Sequence, residues 1–257
     1  MSTIENERVA PVWAPPTLPI LWSPSAIAGL TAEGELAAAC RYLFEIGYNE
    51  HFFGHITWEQ PDGAYLTNAY EVMWDRMTAS DVLRVDDVGH KVDGHPLSPS
   101  SGLNLHTSLR HHVQRSETAC IIHAHPEYGT MWAVRGEAPP IYDQGSAWLP
   151  DDVHVTADPA EFWLNELDAQ AIGRCGWGLM VRHGAISVAT SMHEAIFRLA
   201  ILEHRSKRAW MLEGRGATPM EPALAAIFPG VTFTNYAAAY WNAELRRQVS
   251  LDPTVLD

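Results

Sequence analysis

His123 and His125 stand two apart at the end of an apolar run, Cys120-Ile121-Ile122-His123-Ala124-His125, which stops at Pro126. If the run is a strand, alternation puts both imidazoles on one face in line with Ile121, and that spacing permits chelation of a single ion. Neutral imidazole is a ligand for zinc, iron and related ions, and a catalytic site usually takes three protein ligands while keeping one position open. His183 is the candidate third ligand. It closes the apolar run Leu179-Met180-Val181-Arg182 and precedes Gly184, a residue that lets the backbone turn sharply and another group come close. The competing reading is a polar strand end in a chain that holds 13 histidines, and spacing alone leaves both readings open.

The elements that must position these residues can be read from periodicity. Thr31 caps an expected helix through Leu36, Cys40, Leu43 and Phe44 that stops near Gly47. Residues 56–58 and 64–67, joined by Pro61-Asp62-Gly63, read as a β-hairpin, and residues 82–85 with 91–92 as a second pair. Ser100 or Ser101 offers an N-cap for a helix over 103–114, and residues 118–125 form the buried histidine strand. A helix over 160–173 leads into a strand over 179–183, and the chain continues as strand over 186–188. Ser191-Met192-His193-Glu194 matches a capping box opening a helix to Leu212, with Ala195, Leu199, Leu202 and Ser206 on one face. A last helix is expected over 236–248. Strands outnumber simple βαβ repeats, so the predicted fold is a single α/β/α layered domain around a mixed, mainly antiparallel sheet. We expect an extended, Pro-rich arm over 1–26, the main domain over 27–215, and a C-terminal extension over 216–257 that packs on the domain or on a neighbouring subunit.

Composition narrows the function. Apolar residues make up 47% and charged residues 19%, the balance of a folded globular chain. A formal net charge of −14 argues against nucleic acid and anionic membranes as partners, and the short basic run Arg205, Lys207, Arg208 reads as a solvated helix face. Cys40, Cys120 and Cys175 are odd in number and lack metal-type spacing, which predicts a reducing, cytoplasmic setting. The start of the chain carries no basic, apolar signal pattern, and no apolar run is long enough to span a bilayer.

From about residue 30 to about residue 212 the ordered motifs add up to a resemblance. They are Gly54-His55-Ile56-Thr57, then 78–86 with Gly89, Ser100-Ser101 with His106, Ile122-His123-Ala124-His125-Pro126, and Arg182-His183-Gly184 ahead of a helix with Glu194 and Ala195. In this series the chain resembles the class II aldolase/adducin family. The resemblance implies one divalent ion, zinc first with iron(II) or manganese as alternatives, held by His123, His125 and His183. It implies Lewis-acid chemistry in which a carbonyl is polarised and a carbon–carbon bond breaks. It also implies substrate contacts from Gly54, His55, Ser100 and Ser101, and a homo-oligomer, a tetramer, with the site at a subunit interface.

The chain departs from the family's sugar-phosphate aldolases at two places. Gly102 stands where they carry a proton-transferring glutamate, and Thr67-Asn68-Ala69-Tyr70 replaces part of their phosphate cradle. His55 fits the adducin-like branch. The expected reaction is therefore metal-dependent carbon–carbon cleavage, of retro-aldol or decarboxylase type, on a small non-phosphorylated hydroxy- or oxo-carbonyl compound. His106, one helical turn beyond Gly102, is a candidate acid/base or fourth ligand, with a simple backbone hydrogen bond as the alternative. Tyr142 and Tyr240 are candidate proton carriers, and Arg182 or Arg76 could meet a substrate carboxylate. Aromatic residues crowd the motifs, among them Phe52, Phe53, Tyr70, Trp74, Tyr128, Trp132 and Trp148; most are expected in the core, and a few lining the cleft would suit a flat substrate. Two other readings stay open: an iron oxygenase on the same scaffold that cleaves an aryl-pyruvate side chain, and a non-catalytic adducin-like interaction module.

Overall fold

Seven strands form one sheet in a computed structural model that describes residues 27–48, 53–149, 152–157, 163–228 and 232–257. The expected arm over 1–26 lies outside the described residues, as does Phe52. The strands are β1 (His55–Glu59), β2 (Tyr65–Asn68), β3 (Val82–Val85), β4 (Cys120–Ala124), β5 (His154–Val155), β6 (Trp177–Met180) and β7 (Gly184–Ala189). Their spatial order is β3-β2-β1-β4-β7-β6-β5, with every pairing antiparallel except β5 with β6.

Helices cover both faces. On one face lie α1 (Ala32–Glu45), α3 (Glu127–Arg135), α5 (Met192–Leu212) and α7 (Thr232–Leu251), packed over Ile122, Ala124, Leu179 and Ala185. On the other lie α2 (Asn104–His112) and α4 (Glu166–Cys175), packed over Ile121, Met180, Ile186 and Val188. A short helix, α6 (Pro222–Ala225), precedes α7. The layered, mainly antiparallel fold is the one expected. Among the described residues no helix is long and apolar enough to cross a membrane.

Local chemistry explains where the boundaries moved. The Thr31 side chain accepts from Gly34 N at 3.1 Å and starts α1 as expected. The helix expected over 160–173 begins instead at Glu166, because the Asn165 side chain accepts from Asp168 N at 2.9 Å and is the true cap. The second β pair shrinks to one bridge, Val85 to Lys91, since Asp86 turns the chain by accepting from both Val88 N and His90 N. The capping box before α5 does not form. The Ser191 hydroxyl pairs with His193 Nε2 and the Glu194 carboxylate accepts from Thr190, yet Ala195, Leu199, Leu202 and Ser206 are all buried.

Helix α7 closes on α1 through a buried polar contact, Trp241 Nε1 donating to Glu35 Oε1 at 2.8 Å. Glu35 is only 2% exposed, and burial raises its carboxyl to about 7, partly opposed by the Trp241 bond. A carboxyl whose folded pKa is raised contributes stability that is full below its unfolded pKa and lost as pH rises through the folded one. Between about pH 4.5 and pH 7 the native state holds the extra proton, so stability falls as pH rises. Glu35→Gln keeps the acceptor for Trp241 and removes the ionisation. It is expected to unfold about 3 kcal/mol later than wild type at pH 8 and to show little gain at pH 4, measured by urea titration.

Candidate metal centre

Antiparallel pairing of β1 with β4 sets His55 directly opposite His123, on the face covered by α2. His123 ends the buried part of β4, is 2% exposed, and its Nδ1–H donates to Ala185 O on β7 at 3.0 Å. That bond fixes the tautomer and leaves the Nε2 lone pair free, the arrangement usual for a metal-bound imidazole. His125 lies just past the strand, held by its backbone N–H donating to Tyr48 O.

The strand expected to run to His183 stops at Met180. Residues 181–183 form the tight connection between β6 and β7, with Met180 paired to Gly184. Arg182 takes a left-handed backbone conformation, φ 58°, which a non-glycine residue adopts at a cost. This kink delivers His183 toward the end of β4. Gly184 is required by space: a Cβ there would lie 2.5 Å from His125 Cδ2 and 2.7 Å from Ala124 O.

The three imidazoles converge. One ring nitrogen from each of His123, His125 and His183 lies within 4.8 Å of the others, and the Nε2 atoms of His123 and His125 are 3.2 Å apart. Two nitrogens bound tetrahedrally to one zinc ion at ordinary bond lengths are separated by about 3.3 Å, so the spacing fits such an ion. His123 is buried while His125 and His183 are half-buried. Burial is the main reason the His123 imidazole is pushed well below its ordinary pKa, with His55, His183 and His125 adding to it. Neutral imidazole is the ligating form.

Behind the trio runs a hydrogen-bonded chain. His55 Nδ1 meets His106 Nε2 at 2.8 Å, His106 Nδ1 meets Thr57 Oγ1 at 2.7 Å, and Arg110 Nη2 donates to Thr57 Oγ1. His106 is fully buried with both ring nitrogens engaged, neither of them by a backbone carbonyl. Burial lowers the His55 pKa to about 3 and drives that of His106 well down. Gly102 supplies the room for His55. A Cβ at 102 would collide with His55 Nε2 and lie 2.7 Å from its Cδ2.

The remaining expected residues fall in different places. Gly54, at φ 120°, is pressed against Trp74 and has no space for a side chain. Ser100 accepts from Gly102 N and caps the turn Ser101–Leu103 ahead of α2, while Ser101 is exposed. Arg182 is exposed beside His183. Tyr142 and Tyr240 are not brought to the trio within one chain. Both pack into the core on the opposite face of the sheet, where the Tyr240 hydroxyl meets that of Tyr42. Among the aromatic candidates, Phe53 is 45% exposed with its ring 6.0 Å from His125, whereas Trp74 and Trp132 are buried. Thr57 and Arg110 were not singled out as site residues, although their spacings carried a signal. Thr57 shares a strand face with His55, and Arg110 lies one helical turn beyond His106.

The family Class II Aldolase and Adducin N-terminal domain matches residues 34–210, and the chain belongs to it. Among its relatives, the Meiotically up-regulated gene 14 protein of Schizosaccharomyces pombe is 26% identical over 181 residues, 65% of this chain and 67% of that protein. An aldolase II superfamily protein from Pseudomonas syringae has the same fold, with a TM-score of 0.74 and 20% identity over 88% of this chain and 94% of its own. The L-fuculose 1-phosphate aldolase from Glaciozyma antarctica superposes with a TM-score of 0.75 and 21% identity over 93% and 95% of the two chains.

Proposed function

We propose that this protein is a metal-dependent lyase that cleaves a carbon–carbon bond in a small, non-phosphorylated hydroxy- or oxo-carbonyl compound. The observation that carries the reading is the convergence of His123, His125 and His183, with donor atoms within 4.8 Å and two of the three imidazoles half-buried. A divalent ion held there would supply Lewis-acid polarisation of a substrate oxygen. The chain's own contribution is positional. Ala185 O holds the His123 ring, Gly184 admits His125, and the left-handed Arg182 aims His183.

Two features favour a substrate without a phosphate. Asn68 is buried in β2, where its Oδ1 accepts from Ile56 N at 2.9 Å and its Nδ2 donates to Ala69 O at 3.5 Å, so this side chain is not offered to a ligand. Phe53 beside His125 adds an apolar wall that suits a flat or aryl group. The proposal includes a homo-oligomer in a reducing compartment, in which a neighbouring chain can approach the half-buried His125 and His183.

The test begins with protein purified without a histidine tag. Elemental analysis is expected to find one equivalent of a divalent ion, and a panel of hydroxy-carbonyl compounds is expected to include one cleaved without oxygen consumption. Protein with no bound ion after incubation with zinc, iron(II) and manganese would overturn the reading. Oxygen uptake equal to product formed would replace the lyase with an oxygenase.

A further inference from the structure

The chain Arg110, Thr57, His106, His55 has a direction, and the direction follows from proton counting. An arginine guanidinium only donates, so Thr57 Oγ1 is an acceptor toward Arg110 Nη2. The hydroxyl proton of Thr57 then has one acceptor among the described residues, His106 Nδ1 at 2.7 Å. A neutral imidazole carries one N–H, so the proton of His106 is on Nε2 and is donated to His55 Nδ1 at 2.8 Å. By the same count the proton of His55 is on Nε2. That atom lies over Gly102, where any side chain would collide with it, and the His55 ring stands 5.0 Å from that of His123.

We propose that His55 is a hydrogen-bond donor to a metal-chelating substrate and not a fourth metal ligand, its ring seated in the space that Gly102 leaves and its proton held on Nε2 by the Arg110–Thr57–His106 relay. The proposal rests on the metal reading given above. The ligand is an oxygen that gains negative charge, the carbonyl or hydroxyl oxygen of a compound bound through two oxygens, because an N–H fixed in a water-poor site favours such an atom. His55 is the group that touches it. His106, Thr57 and Arg110 are positioning residues.

Neutron diffraction from deuterated crystals of the full chain, metal-free and zinc-loaded, reads the relay directly. Deuterium is expected on Nε2 of both His55 and His106, with zinc on the trio alone. Deuterium on His55 Nδ1, or a bare His55 Nε2 bound to zinc, would overturn the proposal while leaving the metal reading intact. Crystals that take up no zinc would overturn the metal reading, and the substrate role of His55 with it, whatever the deuterium positions. Acetohydroxamate, which chelates through two oxygens, serves as the binding probe on zinc-loaded protein. Thr57→Val and Arg110→Met are expected to weaken its binding about ten-fold while zinc content stays at the wild-type value. Unchanged hydroxamate affinity in both variants would also overturn the proposal, and the neutron measurement on wild type decides the matter if either variant fails to fold.

Discussion

His183→Ala is expected to fold like wild type and to hold no divalent ion. The residue is half-buried on the three-residue connection between β6 and β7, so truncation removes little packing. What it removes is a ligand. Loss of a mere outer-shell partner costs about 10–100-fold in metal affinity, and loss of one of three ligands should exceed that range. Zinc supplied at a hundred times its Kd stabilises a protein that binds it only when folded by about 2.7 kcal/mol, so wild type should gain that amount and the variant none. Calorimetric melting with and without zinc, alongside elemental analysis, makes the comparison. A zinc-dependent shift of wild-type size in His183→Ala would remove this residue from the site. His123→Ala is a less clean probe, because His123 is buried and its loss strips Ala185 O of a hydrogen bond, adding about 1–3 kcal/mol of destabilisation.

Gly184→Ala is expected to do comparable damage to metal binding without replacing any ligand. One methyl group is added, and it meets His125 Cδ2 at 2.5 Å and the backbone oxygen of Ala124 at 2.7 Å. The second neighbour is the harder one to move, since Ala124 is paired with Ala185 in the centre of the sheet. Relief therefore requires the end of β4 to shift away from β7, which carries His125 out of line with His123 and His183. Overpacking of this kind costs about 1–3 kcal/mol of stability. Zinc affinity is expected to fall at least ten-fold, read by competition with a fluorescent chelator. Wild-type affinity in the alanine variant would mean that the close approach at Gly184 has no part in shaping the trio.

How far the sequence reveals this site depends on the kind of contact involved. The trio was legible because His-x-His on a strand and His-Gly at a strand end are local patterns, and the layered fold followed from counting strands against helices. The relay was not, because no local pattern says that β1 pairs with β4 in the register that sets His55 opposite His123. His106 was read as lying one helical turn beyond Gly102, but Gly102 sits in the turn ahead of α2, and the partners of His106 are determined by where α2 meets β1. Tyr142 and Tyr240 lie away from the trio within one chain for a related reason. Tyr142 sits in the loop after α3 and Tyr240 on α7, and the docking of α7 on α1 and α5, which no local pattern reveals, packs both in the layer on the other face of the sheet. Gly102 held half of the information from the start. Its missing side chain marked a vacancy, and only the packed structure identifies His55 as the group that fills it.

The two central pairings of the sheet also bear on how the chain reaches its native state. His123 is bonded to a carbonyl 62 residues away along the chain, so β4 and β7 meet only after a long loop has closed. Topologies dominated by such distant pairings fold slowly, because the entropy of closure is spent before the contacts can reward it. A chain emerging from the ribosome thus exposes His123 and His125 well before His183 exists to join them. On the metal reading proposed above, ion capture is a late event that reports a finished sheet, and a nascent or partly refolded chain offers a metal ion only a two-point, weaker grip.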